Sequence, residues 1–241
     1  MIDVKFQTPV PGLLNSEVTV QPANKFIPKD WKNIPHAAEI EHNSLDPYKH
    51  IGPNSYTRTA KLCPSFPDVF NAGFVIPAPC DIQLYYDKEQ DSFRYETGLP
   101  GIQIVTHGND QMLSYAENST YEFVFKLDHV WECITPPGYS IMQIPMLWHS
   151  NHEWEAAYGI IHTDQYHFIN VQIMLKKGVK ETFIAQGEPL CYIVPYRREE
   201  YNLVLQEWNE EESATAYVNN LGSFKNGYRK LFRKRNAKQK D

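Results

Sequence analysis

Short runs of apolar and alternating residues fill the middle of this chain. Phe74-Val75-Ile76, Ile82-Gln83-Leu84-Tyr85-Tyr86, Ile102-Gln103-Ile104-Val105 and Tyr121-Glu122-Phe123-Val124-Phe125 are parted by Pro, Gly, Asp or Asn. That rhythm is the one expected of an all-β architecture. It continues through Val130 to Ile134, Tyr139 to Ile144, Ala157 to Ile161 and Pro189 to Val194. Between Phe168 and Leu175 the order places Val171, Ile173 and Leu175 on one face and Asn170, Gln172 and Met174 on the other. This predicts a half-buried strand.

The flanks read differently. Seven prolines punctuate the first sixty residues (Pro9, Pro11, Pro22, Pro28, Pro35, Pro47 and Pro53), which predicts an irregular arm packed over the body. Ser65 to Asn71 predicts a short helix, capped by Ser65, ended by Gly73, with Phe70 turned inward. After Pro195 the period becomes helical. Tyr201, Val204, Leu205 and Trp208 fall at i, i+3, i+4 and i+7, and Phe224, Tyr228, Leu231 and Phe232 form a second stripe. The resulting division is an arm over 1–73, a β domain over 74–196 and a C-terminal helical extension with a basic tail over 197–241.

Composition narrows the partners. Net charge is −6, yet residues 225–241 hold eight Lys/Arg against one acid, leaving −13 on residues 1–224. The basic end suits phosphate backbones, the acidic body of a neighbouring subunit, or water alone. The overall negative charge counts against a nucleic-acid partner. No apolar run approaches the roughly 20 residues that cross a bilayer. Met1-Ile2-Asp3-Val4-Lys5 lacks the basic-then-apolar pattern of a secretory signal, which implies a cytoplasmic protein. Cys63, Cys80, Cys133 and Cys191 show no CxxC spacing, so buried free thiols are expected rather than a zinc ribbon or a disulfide scaffold.

Three segments then fall in a recognisable order. Pro136-Pro137-Gly138-Tyr139-Ser140-Ile141-Met142-Gln143-Ile144-Pro145 is similar to PPGYYGRVAP of the dUTPase and dCTP-deaminase family. Gly159-Ile160-Ile161-His162-Thr163-Asp164-Gln165-Tyr166 resembles GVIDxDY, and Gln186-Gly187-Glu188-Pro189-Leu190-Cys191-Tyr192-Ile193-Val194 resembles KGDRIAQLI. With the Cys-Pro-x-Phe and Gly-Phe-Val-Ile-Pro stretch around 63–77, they also resemble an uncharacterised family of tailed-phage proteins, which would act in an infected host cell.

The resemblance implies a mainly β fold, a distorted antiparallel sandwich or barrel of dUTPase type, which the irregular N-terminal arm precedes and, by their periodicity, one or two C-terminal helices follow. It also implies a homo-oligomer, commonly a trimer, and a nucleotide or other small-molecule ligand. The departures bear on activity. The family's phosphate-holding Arg-Ser pair is replaced by Met146-Leu147-Trp148, which offers no charged donor. The family's water-activating Asp aligns with His162, and the family's Gly-rich C-terminal arm is missing. These losses favour a non-catalytic binding or assembly module.

Candidate chemistry remains. His162 and Asp164 are the candidate catalytic pair of the alternative reading, a small-molecule or nucleotide enzyme, since an imidazole serves as a base near neutral pH. Tyr139, Trp148 and Tyr166 are candidate ligand-binding aromatics; Tyr166 aligns with the residue that lies against the base in the family. His149, His152 and His167, with His162, put four of nine histidines within nineteen residues. Such a His/carboxylate set suits zinc or non-haem iron. The sequence names no cofactor.

Overall fold

The computed structural model describes residues 2–39, 56–62, 65–107, 111, 120–146, 149, 153–211 and 213–214. Its strands are short in the first third: β1 (Lys5–Gln7), β2 (Gln21–Pro22), β3 (Ala37–Glu39) and β4 (Tyr56–Arg58). Then follow β5 (Phe74–Pro77), β6 (Ile82–Asp87), β7 (Ser92–Thr97), β8 (Gln103–His107) and the long β9 (Tyr121–Ile134). The last six are β10 (Tyr139–Pro145), β11 (Trp154–Ala156), β12 (Gly159–Ile161), β13 (Phe168–Lys176), β14 (Glu181–Ile184) and β15 (Pro189–Arg197). Two short helices, α1 (Lys29–Asn33) and α2 (Ser65–Phe70), sit among them. Every described ladder is antiparallel. The expected mainly β, antiparallel class is what forms.

The chain groups into two units, one of Met1–Asn33 with Val69–Arg198, the other of Ile34–Asp68 with Glu199–Asp241. In the first unit, β9 lies between β1 and β13, β13 pairs onward with β11, and β8 also pairs β9. A second sheet runs β12-β10-β15-β5-β2, and a third β14-β6-β7. The three motif-bearing stretches thus become adjacent strands of one sheet: β10 pairs β12 from Gln143↔Gly159 to Ile161↔Ile141, and pairs β15 from Tyr139↔Arg197 to Pro145↔Cys191. The proline-rich N-terminus supplies edge strands. Pro22 closes β2 at the sheet margin, where a residue without an N–H costs no ladder bond.

Alternation decides what is buried. Phe125 and Leu127 from the first sheet, Ile141 and Ile193 from the second, and Ile82 and Leu84 from the third meet in one core. Each such side chain contributes roughly 1.5–3 kcal/mol on leaving water. Phe93 caps it, 4.4 Å from Phe123 and 6.0 Å from Phe125 between ring centroids. In β13, Val171, Ile173 and Leu175 face this core as their spacing predicts; Met174, on the other face, is buried as well. In the second unit β3 pairs β4, with Ala37 opposite Arg58.

Several expectations need amending. Tyr121–Phe125 and Val130–Ile134 are parts of one fourteen-residue strand. Of the run from Ala157 to Ile161 only Gly159–Ile161 forms a strand, β12, while Trp154–Ala156 before it forms β11. β14 escapes period-2 reading because polar and apolar residues are mixed on its faces: Thr182 and Ile184 are buried while Phe183 is exposed. The predicted helix over Tyr201–Trp208 does not form. These residues carry no regular structure, and Tyr201, Leu203, Val204, Leu205 and Trp208 are 73–86% exposed. Eight residues whose apolar stripe stays exposed do not repay helix nucleation. A helical turn begins instead at Glu210. The second stripe, Phe224 to Phe232, lies outside the described residues, as do Cys63 and the basic tail. No helix among the described residues is long and apolar enough to cross a membrane.

Candidate functional site

The second sheet brings three loops or strand ends together. Pro136 starts the turn into β10, where Tyr139 N–H donates to Pro136 O at 3.1 Å and Gly138 takes φ +83°. Glycine reaches that left-handed conformation without a side-chain clash. After β12 the chain coils through Thr163–Gln165, with the N–H groups of Gln165 and Tyr166 both donating to His162 O. The chain leaves β15 at Arg198, whose N–H donates to Gly138 O at 2.8 Å.

Arg198 organises the cluster. Its Nη1 donates to Asp164 Oδ1 at 2.8 Å and its Nη2 donates to Asp164 Oδ2. The same Nη1 lies 3.1 Å from Tyr139 O, 2.8 Å from Ser140 Oγ and 3.4 Å from His162 Nδ1. Asp164 Oδ2 also accepts the Gly138 N–H at 2.9 Å. The Arg198 guanidinium and then the Gly138 N–H hold the Asp164 carboxyl down at about 2. Each bonds only the ionised form. The Asp164 side chain is 7% exposed.

Ser140 links this pair to the imidazole. Its hydroxyl, accepting from Arg198, lies 2.8 Å from His162 Nδ1. His162 itself is exposed. Beneath the loop, Thr135 and Thr163 hydroxyls meet at 2.7 Å in a buried contact. Cys133 sits under Thr163, and burial pushes its thiol up to about 12.

The sequence-predicted candidates are therefore divided. His162 and Asp164 share one cluster with Tyr139, which contributes its backbone oxygen and is half-buried. Tyr166 is exposed on the same loop, its ring 5.7 Å from Phe168. His149 is held elsewhere, Nε2 3.0 Å from Phe26 O. It lines a cavity of about 400 Å³ with Met146, Trp154, Glu155, Lys176 and Leu190. His167 contributes its carbonyl to Cys133 N–H at 2.7 Å. Trp148 and His152 lie outside the described residues. Among the described residues no group of three or more His, Cys, Asp or Glu is placed to hold a metal ion.

Arg198 and Ser140 are the members that pattern reading misses. Ser140 is fully buried in a strand, and Arg198 stands just past the last apolar run. No spacing signal joins either to His162.

No family model matches this chain, and no curated protein does. Among solved structures the chain is similar to one titled native dUTPase of EIAV, 15% identical, with 58% of this chain and 84% of that chain covered and a TM-score of 0.31.

Proposed function

We propose that this is a non-catalytic phage-type protein that uses its sheets as a binding or assembly module. The observation that carries the reading is the state of Asp164. The carboxylate two residues after His162 is tied at both oxygens by Arg198 and again by Gly138, so these lone pairs serve the turn rather than a water or a metal. Ser140, the hydroxyl beside His162, is fully buried, and an unreachable hydroxyl is no nucleophile. The place of the family's phosphate-holding pair begins with Met146, which packs half-buried against the small cluster of Ala23, Val75 and Tyr192.

Assembly has its own support. The edge strand β12 exposes Ile160 (56%), its ladder partner Met142 is 40% exposed, and Tyr158 before it is 68% exposed. Three neighbouring apolar or aromatic residues beside an open strand edge form the kind of surface that a second copy covers. A homo-oligomer follows from this reading.

The test is turnover. Purified protein incubated with dUTP or dCTP and Mg²⁺ is expected to release no phosphate or pyrophosphate above buffer. Hydrolysis that disappears in His162→Ala would establish the enzyme reading and end this one.

A further inference from the structure

The long strand β9 departs from regular geometry at His129, whose φ is +53°. Non-glycine residues seldom sit there, and His, Asn and Asp are the ones found most often. Its register with β13 shifts there: Ile169 pairs Trp131 and Val171 pairs Leu127, so β9 carries two extra residues opposite Asn170. The intervening Asn170 turns its Oδ1 to accept the His129 N–H at 3.4 Å. Irregularities of this type re-aim a side chain out of the ladder's alternation.

The re-aimed imidazole is specifically held. Its Nδ1 lies 2.7 Å from Asp128 Oδ2, and Asp128 Oδ1 is 2.9 Å from Lys126 Nζ. A carboxylate only accepts, so Nδ1 carries a proton, and in the neutral ring Nε2 is then the acceptor. The ring is 54% exposed. It meets Phe168 edge-on at 4.5 Å, and Phe168 meets Tyr166 at 5.7 Å. Three rings in a row thus end in a fixed hydrogen-bond acceptor.

We propose that His129, Phe168 and Tyr166 form a binding site for a small planar ring that carries an O–H or N–H donor. The ligand ring lies against Phe168 and Tyr166 and its donor bonds His129 Nε2. Aromatic edges and faces supply the packing, and the Asp128-fixed tautomer sets the polarity of the hydrogen bond. Asp128 and Glu132, the ladder partner of Phe168, disfavour an anionic ligand. This site stands whether or not the second sheet is an assembly surface.

Phenol and anisole provide the test, since they share a ring and differ in the donor. NMR of the full chain would follow the His129 Cε1–H and the Phe168 and Tyr166 ring protons during titration. Phenol is expected to shift these signals saturably, and anisole to bind about tenfold more weakly, the factor that one net hydrogen bond supplies. His129→Asn keeps a residue suited to positive φ and should lose the phenol preference with the amide spectrum intact. Should that variant fail to fold, Asp128→Asn, which frees the tautomer, should also narrow the difference. Equal responses to the two probes, no response to phenol, or a preference that survives both substitutions would overturn the proposal.

Discussion

Asp164 and Arg198 meet as a two-pronged ion pair across thirty-four positions of sequence. The contact joins the loop after β12 to the end of β15, and through Gly138 N–H to the turn before β10. A single guanidinium thereby fixes the ends of three strands that lie side by side. Planar, forked donors suit a carboxylate in a way a lysine ammonium does not.

Acid should loosen this corner. The Asp164 carboxyl is held at about 2 against an ordinary 3.8, so the folded state binds its proton less readily than the unfolded chain. The stabilisation is complete above about pH 4 and is lost as pH falls toward 2. Denaturant midpoints measured from pH 6 to pH 2 should drop over that window. Asp164→Asn should be less stable at pH 6 and show a flatter acid limb. An unchanged acid limb in the variant would show that other carboxylates set it.

Two glycines separate conformational strain from steric collision. A Cβ on Gly138 would meet nothing within 4 Å, so Gly138→Ala bears only the penalty of φ +83°. That is about 1–2 kcal/mol. A Cβ on Gly73 would lie 2.1 Å from Ile193 O, a backbone atom of β15. Gly73→Ala must displace a central strand and should destabilise more than Gly138→Ala in urea unfolding. The reverse order would contradict the close approach of Gly73 to β15.

Thiol reactivity should report unfolding. Cys80, Cys133 and Cys191 are buried and free. Burial raises all three thiols, Cys133 to about 12. Thiolate is the reactive form. With a disulfide reagent at neutral pH, Cys133 and Cys191 should stay unmodified in native protein and react with the unfolding transition. Mass mapping after brief labelling checks this; rapid native labelling at either position would contradict the burial.

Ile160 is the position that tests assembly. A charge there meets no core side chain and opposes an apolar contact between copies. Ile160→Lys should leave the thermal midpoint nearly unchanged, within about 0.5 kcal/mol of stability. It should shift the mass measured by light scattering toward the monomer. A wild-type protein that is already monomeric at high concentration would remove the assembly half of the proposed function.

Much of this architecture was legible in residue order, because a period of two needs only local chemistry. Val171, Ile173 and Leu175 announced a strand with a buried face, and Ser65 with Phe70 announced α2, whose final Phe70 is fully buried. β14 was illegible for the converse reason: one inward position holds Thr182 and an outward one Phe183. Tyr201 to Trp208 carried a helical stripe but no helix, since periodicity states which face would be buried and not whether a surface exists to bury it.

The sequence by itself determined the β class and the inward residues of the main strands. Tertiary structure alone decided what the polar residues do. Asp164 read as a candidate catalytic residue, and the Arg198 that bonds both its oxygens lies thirty-four positions along the chain. His129 carried no signal in the sequence, and only the two extra residues of β9 opposite Asn170 and the contact with Asp128 single it out. Hydrophobic burial is averaged over many side chains and survives in pattern, whereas the role of a charge or a lone pair depends on one partner placed to within an ångström.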